Sequence, residues 1–273
     1  MKAEAFAPAK INLTLHVTGQ RDDGYHLLDS LVVFADVGDR LTLTSGSGLS
    51  LSVSGEFAGG VPTDNRNLVW QAVEALGWTG HVQLDKQLPH GGGIGGGSSD
   101  AAAVLRLLAR QTGDIPDHVP LSLGADVPVC MHATSARMRG IGEQIEAVAL
   151  PPLPALLVNP GIAVPTGSVF AALNSRENPP MPSHIPAFET PAGCAGWLKD
   201  QRNDLERPAS TVANEIIGVL DALSQTSQVL LARMSGSGST CFALYPTMKA
   251  AHFAAYEIGA AHPGWWCRAV QLS

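Results

Sequence analysis

Between Pro89 and Asp100 the chain reads Pro-His-Gly-Gly-Gly-Ile-Gly-Gly-Gly-Ser-Ser-Asp, and six of these twelve residues are glycine. Glycine lets a backbone take positive φ and come close to a ligand. An alanine- and leucine-rich run, Ala101 to Arg110, follows at once. A helix starting at Ser98 or Ser99 would leave its first N–H groups unpaired and aimed back at the loop. That arrangement suits an anion, and a phosphate above all.

Three readings of this loop compete. Gly91, Gly93 and Gly96 fit G-x-G-x-x-G, but a run so dense in glycine meets that pattern almost automatically. The acidic residue expected about 20 positions on, at the end of a second strand, is missing. A Walker A loop ends in Gly-Lys-Ser/Thr, and the chain has no Gly-Lys pair. A plain flexible loop fits poorly between a strand and an amphipathic helix. Phosphate binding is therefore favoured. A second Gly/Ser loop, Met234 to Thr240, lies between two predicted strands and points the same way.

The length of 273 residues corresponds to two domains of roughly 150 each. Hydrophobic residues make up 45% and charged residues 15%, which supports a sizeable core. A net charge of −7 without a basic run argues against nucleic acid and anionic membranes as partners. The segment from Met1 to Pro8 lacks the apolar stretch of a signal peptide, and no window has the ~18 apolar residues of a membrane span. Cys130, Cys194, Cys241 and Cys267 are widely spaced and read as free thiols in a reducing cytoplasm. His90, His132 and the other histidines show no metal-ligand spacing. A monomer or weak homodimer is expected.

From Ala9 to Val17 the residues alternate. Ala9, Ile11, Leu13, Leu15 and Val17 share an apolar face; Lys10, Asn12, Thr14 and His16 share a polar one. Strands are expected over 27–37, 40–44, 49–53 and 81–85. A helix carrying Leu68, Val69, Ala72, Val73 and Leu76 should be capped at Asp64-Asn65 and end at Gly77. Pro151, Pro152 and Pro154 mark the expected domain boundary, giving domains 1–150 and 151–273. Beyond it, helices are expected over 211–223 and 247–258, with strands over 155–159, 228–233, 240–245 and 267–272. The segment 178–191 reads as irregular. The mixture lacks a regular βαβ beat and predicts an α+β class.

Three segments together resemble the GHMP kinases, the superfamily of galactokinase, homoserine kinase, mevalonate kinase and phosphomevalonate kinase. They are Pro8-Ala9-Lys10-Ile11-Asn12-Leu13, the loop from Pro89 to Ala103, and Met234 to Phe242. Further details are Arg21-Asp22-Asp23-Gly24-Tyr25-His26, Gly124-Ala125-Asp126-Val127-Pro128 and Asn203-Asp204-Leu205-Glu206. These are similar to the branch that phosphorylates the 2-hydroxyl of a cytidine-diphosphate-linked methylerythritol in the non-mevalonate isoprenoid pathway. The resemblance implies an N-terminal domain like ribosomal protein S5 domain 2, a ferredoxin-like C-terminal domain, ATP as co-substrate and Mg2+.

Phosphoryl transfer needs a cradle for the nucleotide phosphates, positive charge at the transferring group and a means of taking the hydroxyl proton. The cradle is assigned to Gly91, Gly92, Gly93, Gly95, Gly96, Gly97, Ser98 and Ser99, with Ser99 also the candidate to face Mg2+. Asp100 reads as a cap or loop-orienting residue. The resemblance makes Asp126 the base that accepts the hydroxyl proton. It makes Lys10, one of five lysines, the cation that favours the ionised carboxylate and stabilises the developing oxyanion. Asn12 is implied in hydrogen bonding to the substrate. Tyr25 is implied as a stacking platform for cytosine, with His26 on the base edge and Phe170 across the base. Thr166 is a candidate contact to the same ligand, and Gly236 and Gly238 bring the second loop's backbone to the cleft. Another GHMP small-molecule kinase, such as homoserine kinase, and a non-catalytic nucleotide-binding protein on the same fold stay open as alternatives.

Overall fold

The computed structural model describes residues 2–273, apart from the side chains of Gln111 and Thr112; Met1 lies outside the described residues. Three strands open the chain: β1 (Lys2–Asn12), β2 (His16–Gln20) and β3 (His26–Ser45). The alternation from Ala9 to Val17 is thus split between two strands. Its polar face is not solvated, for Lys10, Asn12, Thr14 and His16 are all buried. The expected strands 27–37 and 40–44 are one continuous strand, β3.

The chain folds into two units, each drawn from separate stretches of sequence. The first comprises the chain up to Lys10, Val37–His90 and Gly95–Ala133. It contains β4 (Leu49–Ser54), α1 (Leu68–Ala75), β5 (Gly80–Asp85), α2 (Gly96–Thr112), α3 (His118–Leu123) and α4 (Val127–His132). β5 pairs antiparallel with the second half of β3, Arg40 opposite Asp85, and parallel with β4. Period-two burial turns Leu41, Leu43, Val82 and Leu84 inward, while His81 and Gln83 face out. These strands pack against Val69 and Val73 of α1 and Val104 and Leu108 of α2. The cap of α1 is Asn67, whose side chain accepts the Val69 N–H at 2.9 Å. Asp64 and Asn65 do not fill that role; Asp64 pairs with Arg66 instead.

The second unit comprises Ile11–Asp36, Gly91–Ile94 and Thr134–Ser273. It adds β6 (Ala136–Gly140), β7 (Gln144–Ala147), β8 (Leu153–Asn159), α5 (Thr166–Ala171), α6 (Pro191–Leu198), α7 (Glu206–Val212), α8 (Glu215–Ser224), β9 (Leu231–Met234), β10 (Cys241–Leu244), α9 (Met248–Ala261) and β11 (Trp266–Leu272). β8 is buried along its whole length and pairs antiparallel with β10 and β11, as a central strand covered on both faces should. Ile216, Val219 and Leu223 of α8 and Ala251, Ala254 and Ile258 of α9 pack on Leu156, Val158, Ala243 and Tyr245. The helix expected over 211–223 is broken at residues 213–214 into α7 and α8. A single cut near Pro151 does not separate the units, since residues 134–150 lie with the second. The α+β class is as expected. Among the described residues no helix is long and apolar enough to cross a membrane.

Candidate active site

In the first unit the site grows from β1 and the starts of α2 and α4. Lys10 is carried on β1, and only 4% of its side chain is exposed. Asp126 directly precedes α4, yet its side chain caps nothing. Its carboxylate faces Lys10, with Nζ 3.0 Å from Oδ2, and remains 32% exposed. The lysine is therefore sequestered while the carboxylate stays within a ligand's reach. That geometry suits a proton acceptor with a fixed cation behind it.

Gly95 closes on this pair. It sits at φ +63° as the N-cap residue of α2, with no side-chain hydrogen bond capping the helix. A Cβ there would stand 3.1 Å from Lys10 Cε and 3.8 Å from Asp126 Oδ2. Both the left-handed backbone and the close approach require glycine. The leading N–H groups of α2 have no acceptor within the helix, the arrangement expected at a helix start that receives an anion. Ser99, expected to face Mg2+, is fully buried, and its hydroxyl donates to the Pro8 carbonyl at 2.7 Å. It ties the first turn of α2 to β1. No cluster of three His, Cys, Asp or Glu among the described residues could hold a metal ion.

Asp100 is not a cap. It belongs to a buried ionic triad that sequence reasoning missed, in which the Lys86 ammonium bridges Asp39 and Asp100, the latter at 2.8 Å. Asp39 also accepts the N–H groups of Gln87 and Leu88, at 2.6 and 2.9 Å. Burial, with Asp39 adding to it, holds the Asp100 carboxyl up to about 8 against the opposing pull of Lys86. Burial pulls Lys86 down, but Asp100 and Asp39 outweigh it and leave the ammonium raised. The triad lies directly under the start of α2, where a Cβ on Gly96 would stand 3.4 Å from Lys86 Nζ. The available signal was a scarce lysine placed at a strand end just before the glycine loop.

In the second unit Asn12 is buried, and its amide donates to Ser30 Oγ at 2.8 Å. Tyr25 stands on a turn closed by the Arg21 N–H to the Tyr25 carbonyl and is 57% exposed, a free aromatic face. His26 and Phe170 stack on each other, centroids 4.5 Å apart and planes 17° from parallel. One face of the Phe170 ring is thus occupied by His26. The His26 Nδ1 is buried without a hydrogen-bond partner among the described residues, and burial lowers the pKa of the ring. Thr166 Oγ1 lies 2.9 Å from Ser237 Oγ, tying α5 to the second glycine loop. Gly236 and Gly238 have φ of +56° and +82°. All four cysteines are free, and burial pushes every one of these thiols up, so none is a ready nucleophile.

The family model for the GHMP kinases N terminal domain matches residues 67–142, and that for the GHMP kinases C terminal matches residues 191–263. The chain belongs to the GHMP kinases. Among its relatives, the 4-diphosphocytidyl-2-C-methyl-D-erythritol kinase of Dinoroseobacter shibae is 57% identical over 263 residues, 96% of this chain and 92% of that protein. A crystal structure of 4-(cytidine 5'-diphospho)-2C-methyl-D-erythritol kinase aligns at a TM-score of 0.79 and 33% identity, covering 99% of both chains. A homoserine kinase from Cytophaga hutchinsonii aligns at 0.65 and 17% identity over 99% of this chain and 95% of its own, a likeness of fold alone.

Proposed function

We propose that the chain transfers the γ-phosphoryl group of ATP to the 2-hydroxyl of 4-diphosphocytidyl-2-C-methyl-D-erythritol, a step in isoprenoid precursor synthesis by the non-mevalonate route. The observation that carries this reading is the Lys10–Asp126 pair, closed over by Gly95 at the uncapped start of α2. Full-length likeness to kinases of that name supports the choice of substrate.

In this reading Asp126 takes the hydroxyl proton as the substrate oxygen attacks phosphorus, the bond to the bridging oxygen breaks and ADP leaves. Lys10 offsets the charge growing on the attacking oxygen. Backbone N–H groups of Gly91, Gly92, Gly93, Gly95, Gly96, Gly97 and Ser98 hold the nucleotide phosphates, with Ser99 fixing the helix start. Tyr25, His26 and Phe170 take the cytosine, and Asn12 and Thr166 contact the rest of the substrate. Gly236 and Gly238 line the pocket beside them. A Mg2+ ion accompanying ATP would offset charge on the phosphates, with Ser99 at the helix start the protein side chain nearest that role. The small-molecule substrate needs no nucleic-acid or membrane partner. The four free cysteines support a reducing cytoplasmic setting.

A coupled ADP-release assay with a panel of alcohol substrates tests the assignment. Turnover of the cytidyl-linked methylerythritol, with none of homoserine or mevalonate, is expected. Phosphorylation of homoserine but not of the cytidyl substrate overturns the substrate, and nucleotide binding without transfer to any alcohol overturns the enzyme reading.

A further inference from the structure

Within the second unit the two glycine loops meet backbone to backbone. A Cβ on Gly236 would stand 2.6 Å from the Gly93 carbonyl oxygen, and one on Gly93 would stand 2.8 Å from the Gly238 nitrogen. The Thr240 N–H donates to the Gly92 carbonyl at 3.0 Å. At the centre of this contact is Ser235, fully buried, whose hydroxyl makes two hydrogen bonds. It donates to the Gly93 carbonyl at 3.0 Å and accepts the Asn12 N–H at 3.0 Å. One side chain thus joins the phosphate loop, the second glycine loop and the end of the strand that carries Lys10.

The Ser235 backbone is held just as closely. Its N–H donates to the Thr240 carbonyl at 2.9 Å, and its carbonyl accepts the Gly238 N–H at 3.0 Å. Asn203 grips both neighbours, its amide donating to the Met234 carbonyl at 2.8 Å and the Gly236 carbonyl at 2.9 Å. Glu206 accepts the Met234 N–H at 2.8 Å. The Asn203-Asp204-Leu205-Glu206 motif, with no role in the chemistry above, therefore acts as a clamp on the second loop.

We propose that Ser235 is a positioning residue for phosphoryl transfer. Its hydroxyl sets the path of the phosphate loop through Gly93 and the register of Asn12 beside Lys10, and the Asn203 clamp holds it there. It touches no reacting atom. The glycines on both sides leave the loop backbone without steric preference, so these hydrogen bonds have to supply the definition that side chains supply elsewhere. This inference rests on the kinase reading and adds a specific device to it.

The test compares Ser235→Ala, Ser235→Cys and Ser235→Thr with the wild type, with KM for ATP and for the cytidyl substrate measured separately from kcat. Cysteine keeps most of the volume but hydrogen-bonds poorly, and threonine keeps the hydroxyl. Loss of the hydroxyl is expected to raise KM for ATP about tenfold or more in folded Ala or Cys enzyme, with threonine restoring most of it. Asn203→Asp, which keeps the acceptor for the Leu205 N–H but loses both donors, should show the same rise. Ala and Cys variants with unchanged KM and kcat overturn the proposal. So does failure of all three Ser235 variants to fold, since Ser235 is then a folding residue only. If the wild type itself phosphorylates nothing in the panel, the kinase reading fails first, and a labelled-ATP binding titration of the same variants decides the positioning role independently.

Discussion

Removing the Lys86 ammonium gives the most direct view of what holds the start of α2. In Lys86→Met the buried volume is nearly kept, but Asp39 and Asp100 lose the cation between them. Asp39 retains two backbone N–H donors. Asp100 is worse placed: among the described residues one of its carboxylate oxygens has no hydrogen-bond partner, and the other accepts from Lys86. Breaking a buried ion pair on one side costs about 3–5 kcal/mol, because a charge is left uncompensated. In a chain of this length that lowers the melting temperature by roughly 10 °C. The sign with pH follows from Asp100. Its folded pKa is raised, so it favours the fold when protonated, and that contribution fades as pH rises from the unfolded value near 4 towards about 8. Without Lys86 the carboxyl is pushed higher still. Wild type and variant therefore both keep Asp100 protonated and lose stability in parallel as pH rises to about 8, so the deficit of Lys86→Met should be level between about pH 5 and 7. It should grow only above about 8, where the wild-type carboxyl ionises and the variant's does not. Adding Asp100→Asn to it should recover a large part of the loss, a coupling readable in a double-mutant cycle. Thermal melts of the four proteins at about pH 5, 7 and 9 bracket the raised value. A loss under about 1 kcal/mol, or one that is independent of Asp100 or fails to widen above about pH 8, refutes the reasoning.

Other outcomes follow from single positions. Gly95→Ala places a Cβ 3.1 Å from Lys10 Cε at φ +63°; it should cost about 1–2 kcal/mol of stability by melting and lower kcat/KM at least tenfold in the coupled assay. Gly259→Ala, inside α9 with nothing within 4 Å of the new methyl, should raise stability by about 0.5–1 kcal/mol and leave turnover unchanged. His16 is buried, with Nδ1 3.2 Å from the Pro179 carbonyl and Nε2 taking the Arg202 N–H, and burial lowers its pKa. Its contribution is present above about pH 6.5 and lost as pH falls through the lowered folded value; His16→Gln should flatten the acid side of the melting profile between pH 7 and 5.

The legibility of the site depended on sequence distance. The glycine run and the apolar helix behind it were legible locally as a loop opening a helix, and the α+β mixture could be read from periodicity. Lys10 and Asp126 lie more than a hundred residues apart, and only the resemblance to a family joined them. Period-two alternation correctly separated the faces of the first strand, but it could not show that the polar face is buried too, since that depends on distant partners such as Ser30 and Ser235. The same limit hid the Asp39–Lys86–Asp100 triad, because a buried charge is recognisable only once its counter-charge is placed. The position of Asp100 at a helix start suggests a cap or a loop-orienting residue; it caps nothing, and its partner is a buried lysine beneath the helix start. The break between α7 and α8 escaped notice because the apolar spacing continues across residues 213–214.

Steady-state kinetics of Asp126→Asn and Lys10→Met with ATP and the cytidyl-linked substrate test the central claim most directly. With both variants folded and still binding ATP, kcat should fall about 10²–10⁴-fold, as expected for loss of a positioned proton acceptor or of the charge beside it. Turnover within tenfold of the wild type in either variant contradicts the assignment of proton transfer to this pair.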